Sequence, residues 1–412
     1  MNNESTVTTP SQLNAIQLTD RYQSLDFIRG IAVMGILVMN IQAFGNLFAS
    51  YFNPTVNGDF SGYNVTAWYF THIFFEQKFY TLFSMLFGAG IMVMAHRSEA
   101  KQLSPAKLHY KRTAFLLLFG LAHAFLIWFG DILVAYAIWG SIVYLFWRRS
   151  PVTQLIVGLG AILFISLMML LGVAVMTPDV LAELQATFIP EQSVIDEIVN
   201  AYRGTWREQL AQRAETASKL ISEMIFFGFR IAGCMLLGMA MYQWGILNGQ
   251  KSVAFYRNMT LLFLIPGLAI VYIGASKLYA SGFQDAVLVQ MELGQYNYLG
   301  SVFVAIGYVG LFQWIYQVSA RGAVKTRIEA VGRMALTNYI AQSIICTGFF
   351  YGFGFFAQLS RTEMLLVAAC VLIVQIIWSK WWLERFHFGP LEWAWRSLTY
   401  GRAQRFKRVA KA

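Results

Sequence analysis

Ten runs of about twenty apolar residues recur along the chain, and they constrain the fold more than any other feature. A helix of about 20 apolar residues spans the hydrocarbon layer of a bilayer. The composition agrees, because 57% of the 412 residues are hydrophobic and only 13% are charged. We therefore predict an all-α fold, a polytopic transmembrane helical bundle of about ten spans. The runs cover residues 27–47, 68–95, 112–129, 131–147, 152–176, 222–247, 257–279, 296–318, 333–355 and 363–383.

The positive charges lie in short clusters between alternate apolar runs, and this pattern predicts the orientation in the membrane. Cytoplasmic loops carry an excess of Lys and Arg, so topology explains the net charge of +10 and we exclude nucleic acid as a partner. Both termini are expected in the cytoplasm. The chain then divides into a cytoplasmic tail (1–24), a transmembrane domain (25–385) and a basic amphipathic tail at the inner interface (386–412). An outer loop at about 177–221 is predicted to form helix on or above the outer surface.

Motifs for several common chemistries are absent from the sequence. It contains no GxxxxGK[ST] phosphate loop, no HExxH zinc motif and no GxSxG serine motif. The cysteines Cys234, Cys346 and Cys370 lack metal-ligand spacing, and we interpret them as small apolar residues. We expect no metal site and no tightly bound cofactor, and the sequence argues against an ATP-driven pump and a metal hydrolase.

Small residues recur where helices are expected to touch. Glycine allows two helix backbones to approach closely, which is the main means of packing helices inside a bilayer. The candidates are Gly30, Gly35, Gly88, Gly90, Gly228, Gly233 and Gly238.

An acidic and a basic side chain stand at the start of the first apolar run. Asp26 and Arg29 are three residues apart, which places them side by side on a helix. The pair either anchors the span by neutralising itself, or Arg29 faces the bundle and binds an anion that arrives from the cytoplasm. Charged groups within spans are costly, so each requires a reason.

A histidine and an aspartate lie close together in the stretch "GLAHAFLIWFGDILVAYAI". His123 is eleven residues beyond Arg112, about 16 Å along a helix and hence near the middle of the bilayer. It either donates to a carbonyl of a neighbouring helix or takes up and returns a proton. Asp131 is expected to cap the following helix. Its eight-residue distance from His123 predicts contact only if the chain folds back sharply.

Further polar groups lie within the second, sixth and ninth runs. Glu76 and Lys78 are two residues apart and point to different sides of a helix, so at least one should face another helix or a cavity. Arg230 is a possible partner of Glu76. Asn338 and Gln342 share one helix face, where they either join helices or line a polar tunnel.

Five segments together resemble the YeiB-like bacterial membrane proteins, a family labelled as a domain of unknown function. They are "LDFIRGIAVMGILVMNIQAFG" at 25–45, "KFYTLFSMLFGAG" at 78–90, "GLAHAFLIWFGDILVAYAI" at 120–138, "VGRMALTNYIAQSIICTGFFYGFG" at 331–354 and "FGPLEWAWRSLTYGR" at 388–402. The family is grouped with integral-membrane acyltransferases that use cytoplasmic acyl-CoA. Its motifs contain Asp26, Arg29, Lys78, His123, Asp131, Asn338, Glu392 and Arg396.

The resemblance implies an acyltransferase of the bacterial inner membrane. Acyl-CoA would be the donor substrate, with its phosphates at Arg29, Arg333 and Arg112, and His123 would be the general base on an acceptor. Asn338 or Lys78 would stabilise the oxyanion. Related acetyltransferases often carry a histidine near the outer end of an early span; His72 has that position but lies outside the matching segments.

Two other functions remain open from the sequence. One is a proton-coupled transporter or permeation protein, with Glu76, His123 and Asp131 as a proton relay. The other is a scaffold or sensor without turnover. All three functions place the protein in the lipid bilayer. The acyltransferase and the transporter would also bind a small-molecule substrate, and the oligomeric state is left open.

Overall fold

The computed structural model describes residues 23–408, with only the backbone of residues 226 and 227, and this part of the chain is helical throughout. The predicted tail 1–24 lies almost entirely outside the described residues, as do residues 409–412. The helices of the first half are α1 (Gln23–Gly45), α2 (Ala49–Phe52), α3 (Gly62–Phe74), α4 (Lys78–Ala100), α5 (Pro105–Leu126), α6 (Leu133–Val143), α7 (Pro151–Val173), α8 (Pro178–Phe188) and α9 (Gln192–Arg203).

The second half contains eight further α-helices: α10 (Trp206–Phe227), α11 (Phe229–Gln243), α12 (Val253–Ala280), α13 (Gly294–Val318), α14 (Ala323–Arg333), α15 (Ala335–Thr347), α16 (Arg361–Arg385) and α17 (Pro390–Tyr400). A 3-10 turn at Tyr144–Phe146 extends α6, and π-helical turns at Leu288–Leu293 and Gly348–Gly352 flank α13 and α15. Within residues 23–408 there is no β-strand, only one antiparallel bridge between Phe386 and Lys407.

Six helical segments are long and apolar enough to cross a membrane, so the chain is a multi-pass membrane protein. A seventh is possible if the bent pair α10–α11 forms one span. The sequence count of ten also includes α5, α6 and α15, which are shorter or carry cations in their first turns. The six segments are Gln23–Gly45, Gly62–Ala100, Pro151–Val173, Val253–Ala280, Leu288–Val318 and Arg361–Arg385.

The second span is interrupted at the polar residues 76–78. α3 ends at Phe74 and α4 begins at Lys78, and between them Gln77 has a positive φ of 65°. Left-handed backbone cannot continue a right-handed helix, so the break is built into the chain. It leaves buried polar groups at the junction.

Most of the predicted glycines lie at close helix contacts. A Cβ on Gly88 would be 1.9 Å from the Met235 carbonyl oxygen, and one on Gly238 would be equally close to that of Met85, so α4 and α11 pack backbone to backbone. Gly332 on α14 lies in the same way against Asp26 on α1. Gly90 is the exception, because a Cβ there would meet no atom within 4 Å.

The predicted outer loop is helical, and it packs firmly on one end of the bundle. α8, α9 and α10 fill most of it, and Tyr202 and Arg213 are buried. Arg213 Nη1 donates to the carbonyl of Leu126, 3.0 Å away, and so caps the end of α5. This segment therefore covers the turn between α5 and α6.

Candidate functional site

A cavity of about 360 Å³ lies between α1, α4, α5, α6, α14, α15 and α17. This volume is in the range of small-molecule sites. The lining residues Lys101 and Leu103 are exposed, so the cavity opens at the loop between α4 and α5. Its other end is formed by Ile132, Leu133 and Tyr339.

Cations dominate the charged lining of this cavity. Six basic side chains face two acidic ones, Asp26 and Glu392. The basic side chains are Arg29, Arg97, Lys101, Arg112, Arg333 and Arg396. Such a surface attracts anions, and arginine in particular binds phosphate and carboxylate through paired hydrogen bonds.

Four of the residues proposed from the sequence meet at this cavity: Asp26, Arg29, Arg112 and Arg333. The predicted adjacency of the first two is confirmed, because Arg29 Nη1 donates to Asp26 Oδ1 over 2.9 Å. The Arg29 side chain keeps 28% of its surface accessible, whereas that of Asp26 keeps 6%. The pair therefore holds Arg29 at the cavity wall.

The charged and apolar linings are separated along the helices. On α4, Arg97 lies fourteen residues beyond Phe83, about 21 Å along the axis. On α1, Ile36 lies seven residues beyond Arg29, about 10 Å. Since both helices line the cavity over this length, its mouth is cationic and its interior is apolar. An amphiphilic anion fits such a shape.

The C-terminal helix α17 forms one wall. The Arg112 guanidinium stacks 4.4 Å above the Trp395 ring, and Trp395 Nε1 donates to the Arg112 carbonyl. The aromatic and basic residues that predicted an interfacial helix therefore also close the cavity.

Glu392 ties α17 to the start of α15. Its carboxylate accepts hydrogen bonds from the N–H groups of Leu336 and Thr337, 2.7 and 3.1 Å away, and from the Thr337 hydroxyl. A carboxylate at a helix N-terminus is favourable because it satisfies unpaired N–H groups. Burial nevertheless raises the pKa of the Glu392 carboxyl, while the bonds from Thr337 and Leu336 oppose that rise.

A second group of polar residues lies beyond the apolar end of the cavity, next to Tyr339. His123 Nδ1 is 2.8 Å from Asp131 Oδ1, and His123 Nε2 is 2.8 Å from Ser343 Oγ. All three residues are about 1% exposed. The sequence assigned Asp131 to helix capping, and its Oδ2 does accept from the N–H of Val134. The contact with His123 shows that the chain also folds back sharply.

The reversal between α5 and α6 has identifiable causes. The N–H groups of Ile127 and Trp128 both donate to the His123 carbonyl, which ends α5. Gly120 lets α6 approach, because a Cβ there would be 2.7 Å from Val134 N and 3.0 Å from Asp131 Oδ2. Glycine at this position therefore allows Asp131 to reach His123.

Tyr339 separates this group from the cavity. Its ring lines the cavity and lies 5.1 Å from the His123 ring, centroid to centroid. Its hydroxyl donates to the Gly130 carbonyl and accepts from Ile132 N–H, both at 3.3 Å. The ring of Tyr339 therefore lies between His123 and the cavity that Arg29 lines.

Glu76 and Lys78 form a separate cluster, in which Lys78 is buried and Glu76 is half-buried. As predicted, they do not bond to each other but both face another helix: Asn297 on α13 donates to Glu76 and accepts from Lys78. Glu76 also contacts His72 Nδ1 over 2.8 Å. The structure does not bring Lys78 to His123.

The suggested pairing of Arg230 with Glu76 is wrong. Arg230 donates instead to the Tyr298 carbonyl and to the hydroxyls of Ser301 and Thr81. Packing of α11 against α4 and α13 fixes the guanidinium on these neutral oxygens.

Asn338 and Gln342 connect helices and do not line the cavity. Asn338 Nδ2 donates to Val331 O and to Ser379 Oγ. Gln342 Nε2 donates to Val33 O and to Gln375 Oε1. Of the two interpretations left open by the sequence, the contacts favour interhelical bonding.

Several residues of the site were not singled out from the sequence. Ser343 and Tyr339 lie within the quoted stretch "GRMALTNYIAQSI", one helical turn apart, and this spacing could have marked a second polar face. Arg97 and Lys101 lie at the end of α4, and only the fold brings them to one cavity with the motif residues Glu392 and Arg396 of α17.

Comparisons with known proteins agree with this picture. A family model described as "Protein of unknown function (DUF418)" matches residues 241–402. The chain is 33% identical over 393 residues to the "Uncharacterized protein YeiB" of Escherichia coli (strain K12), an alignment that covers 92% of this chain and 96% of the relative. It is 30% identical to the "Uncharacterized protein YxaH" of Bacillus subtilis (strain 168), over 95% and 97% of the two chains. No solved structure matches the chain. The resemblance is thereby confirmed: the chain belongs to the YeiB-like family of multi-pass membrane proteins.

Proposed function

We propose that the protein is a membrane acyltransferase that takes an acyl group from cytoplasmic acyl-CoA and passes it to an acceptor hydroxyl or amine. One observation carries the proposal. A cationic, apolar-ended cavity meets a buried His123–Asp131 pair at the ring of Tyr339. The matching family model and the named relatives assign no activity, so the proposal stands on this geometry and on the resemblance to membrane acyltransferases.

The donor fits the distribution of charge and apolar surface in the cavity. The phosphates of CoA would bind at Arg29, Arg112 and Arg333, where guanidinium groups form paired hydrogen bonds with phosphate oxygens. The acyl chain would lie between the apolar side chains of α1 and α4, which include Ile36 and Phe83. Burial of that chain contributes about 0.8 kcal/mol for each methylene group.

His123 would supply the base. Asp131 accepts from Nδ1–H, which leaves the lone pair of Nε2 to take a proton. Over the whole reaction the C–S bond of the thioester breaks, the acyl carbon becomes bonded to the acceptor oxygen or nitrogen, and one proton passes through Nε2 to the thiolate of CoA. Lys78 and Asn338 are engaged in other hydrogen bonds, so we give them no step here.

The proposed topology has ten spans, with both termini in the cytoplasm of a bacterium and the protein in its inner membrane. The cationic mouth of the cavity supports this orientation, because cytoplasmic loops are rich in Lys and Arg. Acyl-CoA would then enter directly from the cytoplasm.

Transfer of labelled acyl groups tests the proposal. Purified protein in lipid nanodiscs is mixed with acyl-labelled acyl-CoA and membrane extract, and label is followed into lipid and small-molecule fractions. We expect wild-type protein to transfer label and His123→Gln to lose at least 100-fold in rate.

His109→Gln provides a matched control. His109 is also buried on α5, and it is hydrogen-bonded to Gly140 rather than to the site, so this variant should keep transfer activity. Transfer that persists in His123→Gln would remove the assigned role of His123, and wild-type protein that neither binds nor consumes acyl-CoA would end the proposal.

Proton-coupled transport is the second candidate, and the cluster at the α3–α4 break favours it. His72 and Lys78 are buried beside the half-buried Glu76, and His72 Nε2 has no hydrogen-bond partner among the residues that the structure describes. This function predicts uptake into proteoliposomes driven by a pH gradient and reduced in Glu76→Gln. The absence of gradient-dependent uptake would remove transport as a candidate.

A further inference from the structure

The hydroxyl of Ser343 is the remaining hydrogen-bond partner of His123. Ser343 comes from α15, His123 from α5 and Asp131 from the turn before α6, so packing of separate helices assembles the three side chains. The two distances are both 2.8 Å. A serine, a histidine and a carboxylate connected in this order are the arrangement that activates serine as a nucleophile in unrelated folds.

The direction of the proton chain follows from the acceptors. Asp131 Oδ1 accepts from Nδ1–H, so in the neutral imidazole Nε2 presents a lone pair. The Ser343 hydroxyl is the donor that faces this lone pair. Its other neighbour, the Tyr339 carbonyl, is farther away at 3.4 Å. Ser343 is therefore placed to lose its proton to His123.

We propose that Ser343 is acylated during turnover and is the nucleophile of a two-step transfer; this inference rests on the acyltransferase function proposed above. In the first step Ser343 Oγ bonds to the acyl carbonyl carbon, and the C–S bond of the thioester breaks. The serine proton moves to His123 Nε2 and from there to the leaving thiolate. In the second step the acceptor gives its proton to Nε2 and bonds to the acyl carbon, the bond between that carbon and Ser343 Oγ breaks, and Oγ takes the proton back from Nε2.

Access to Ser343 requires movement of Tyr339. Tyr339 lies four residues before Ser343, hence one turn away on the same face of α15, and it is the cavity-lining residue of α15 nearest to Ser343 along the helix. Both hydrogen bonds of its hydroxyl are long, at 3.3 Å. Rotation of this ring joins the apolar end of the cavity to Ser343.

The test is to trap the acylated protein. Protein in nanodiscs is incubated with acyl-labelled acyl-CoA without acceptor, quenched in acid and mapped by peptide mass spectrometry. We expect the mass of one acyl group on Ser343. Ser343→Ala should carry no covalent label and lose at least 100-fold in transfer, while Ser343→Cys should form a thioester that neutral hydroxylamine cleaves.

Ser379→Ala is the matched control, because Ser379 is a fully buried hydroxyl that bonds to Asn338 on the same α15. It should keep both label and transfer. Binding of CoA to Ser343→Ala shows that this variant is folded.

The outcomes separate this inference from the function on which it rests. If Ser343→Ala transfers acyl groups at the wild-type rate, Ser343 is not the nucleophile, although the acyltransferase function stands. If wild-type protein transfers no acyl group but a fluorophosphonate probe labels Ser343 in wild type and not in Ser343→Ala, the nucleophile stands and acyl-CoA is the wrong donor. Absence of label from both reagents overturns the inference.

Discussion

The ring of Tyr339 separates His123 from a cationic cavity, with the two ring centroids 5.1 Å apart. One side of Tyr339 faces the space that Arg29 and Arg112 border, and the other faces the buried imidazole. The cavity and the His123–Asp131 pair are therefore adjacent but separated by this ring. If the proposed transfer takes place here, such a separation would keep water from a reactive intermediate until the ring moves.

Filling the cavity should block ligand binding without unfolding the protein. Gly90 lines the cavity, and a Cβ there meets no atom within 4 Å. We expect Gly90→Leu to raise the Kd for CoA at least tenfold. Helix stability should be unchanged or higher, because glycine costs a helix about 1 kcal/mol. Binding is measured by calorimetry in nanodiscs.

The control for this variant is Gly160→Leu. Gly160 is on the exposed face of α7 and is equally open, so this variant adds the same side chain away from the cavity. Equal affinities of the two variants would mean that CoA binds elsewhere.

Removal of one cavity cation should weaken anion binding. Arg112→Gln deletes a charge that lines the cavity, and a charge-assisted hydrogen bond contributes about 1.5–3 kcal/mol. We expect the Kd for CoA to rise about tenfold or more, with a smaller change at high salt. Arg148→Gln is the comparison, because Arg148 is 69% exposed and pairs with Glu99 at the surface. A similar loss in both variants would indicate nonspecific attraction.

The turn that places Asp131 should depend on Gly120. In Gly120→Ala the new methyl group would press on Val134 N, 2.7 Å away, and on the Asp131 carboxylate. We expect a stability loss of about 2 kcal/mol and loss of acyl transfer, since overpacking forces the backbone to shift. Thermal unfolding in detergent measures the first effect. Gly172→Ala, at an open position on α7, should be silent, and an equally silent Gly120→Ala would show that the turn tolerates displacement.

Anion affinity should depend on pH through Glu392. Burial raises its pKa, so it becomes neutral at higher pH than an ordinary carboxyl and then removes one negative charge from the cavity. CoA should therefore bind more tightly as pH falls through that pKa. Protonation of Glu392 affects folding stability in the same direction as CoA affinity. The stability that its raised pKa contributes is fully present below the unfolded-state pKa and is lost as pH rises through the folded-state pKa.

Glu392→Gln isolates this effect from protonation of CoA itself. The variant should bind CoA more tightly than wild type at neutral pH and show a flatter pH profile, measured by titration over the acidic range. Identical slopes for the two proteins would assign the dependence to other groups.

Local features of the site were predictable because they follow from helix periodicity. Asp26 and Arg29 are three residues apart, and they pair as that spacing requires. The break between α3 and α4 near Glu76 is likewise a local feature, since charged residues there interrupt a run of apolar ones. Membrane insertion itself follows from the length of the apolar runs.

The sequence by itself determined the helical class, the membrane environment and the local pairs, because each depends on residues within a few turns of one another. Only the tertiary structure decided which polar groups meet. Ser343 reaches His123 from 220 positions away, α17 supplies a cavity wall, and Arg230 binds neutral oxygens instead of Glu76. The reason is physical: helix periodicity fixes which face a side chain occupies, whereas close packing at residues such as Gly120 and Gly332 decides which helix that face meets.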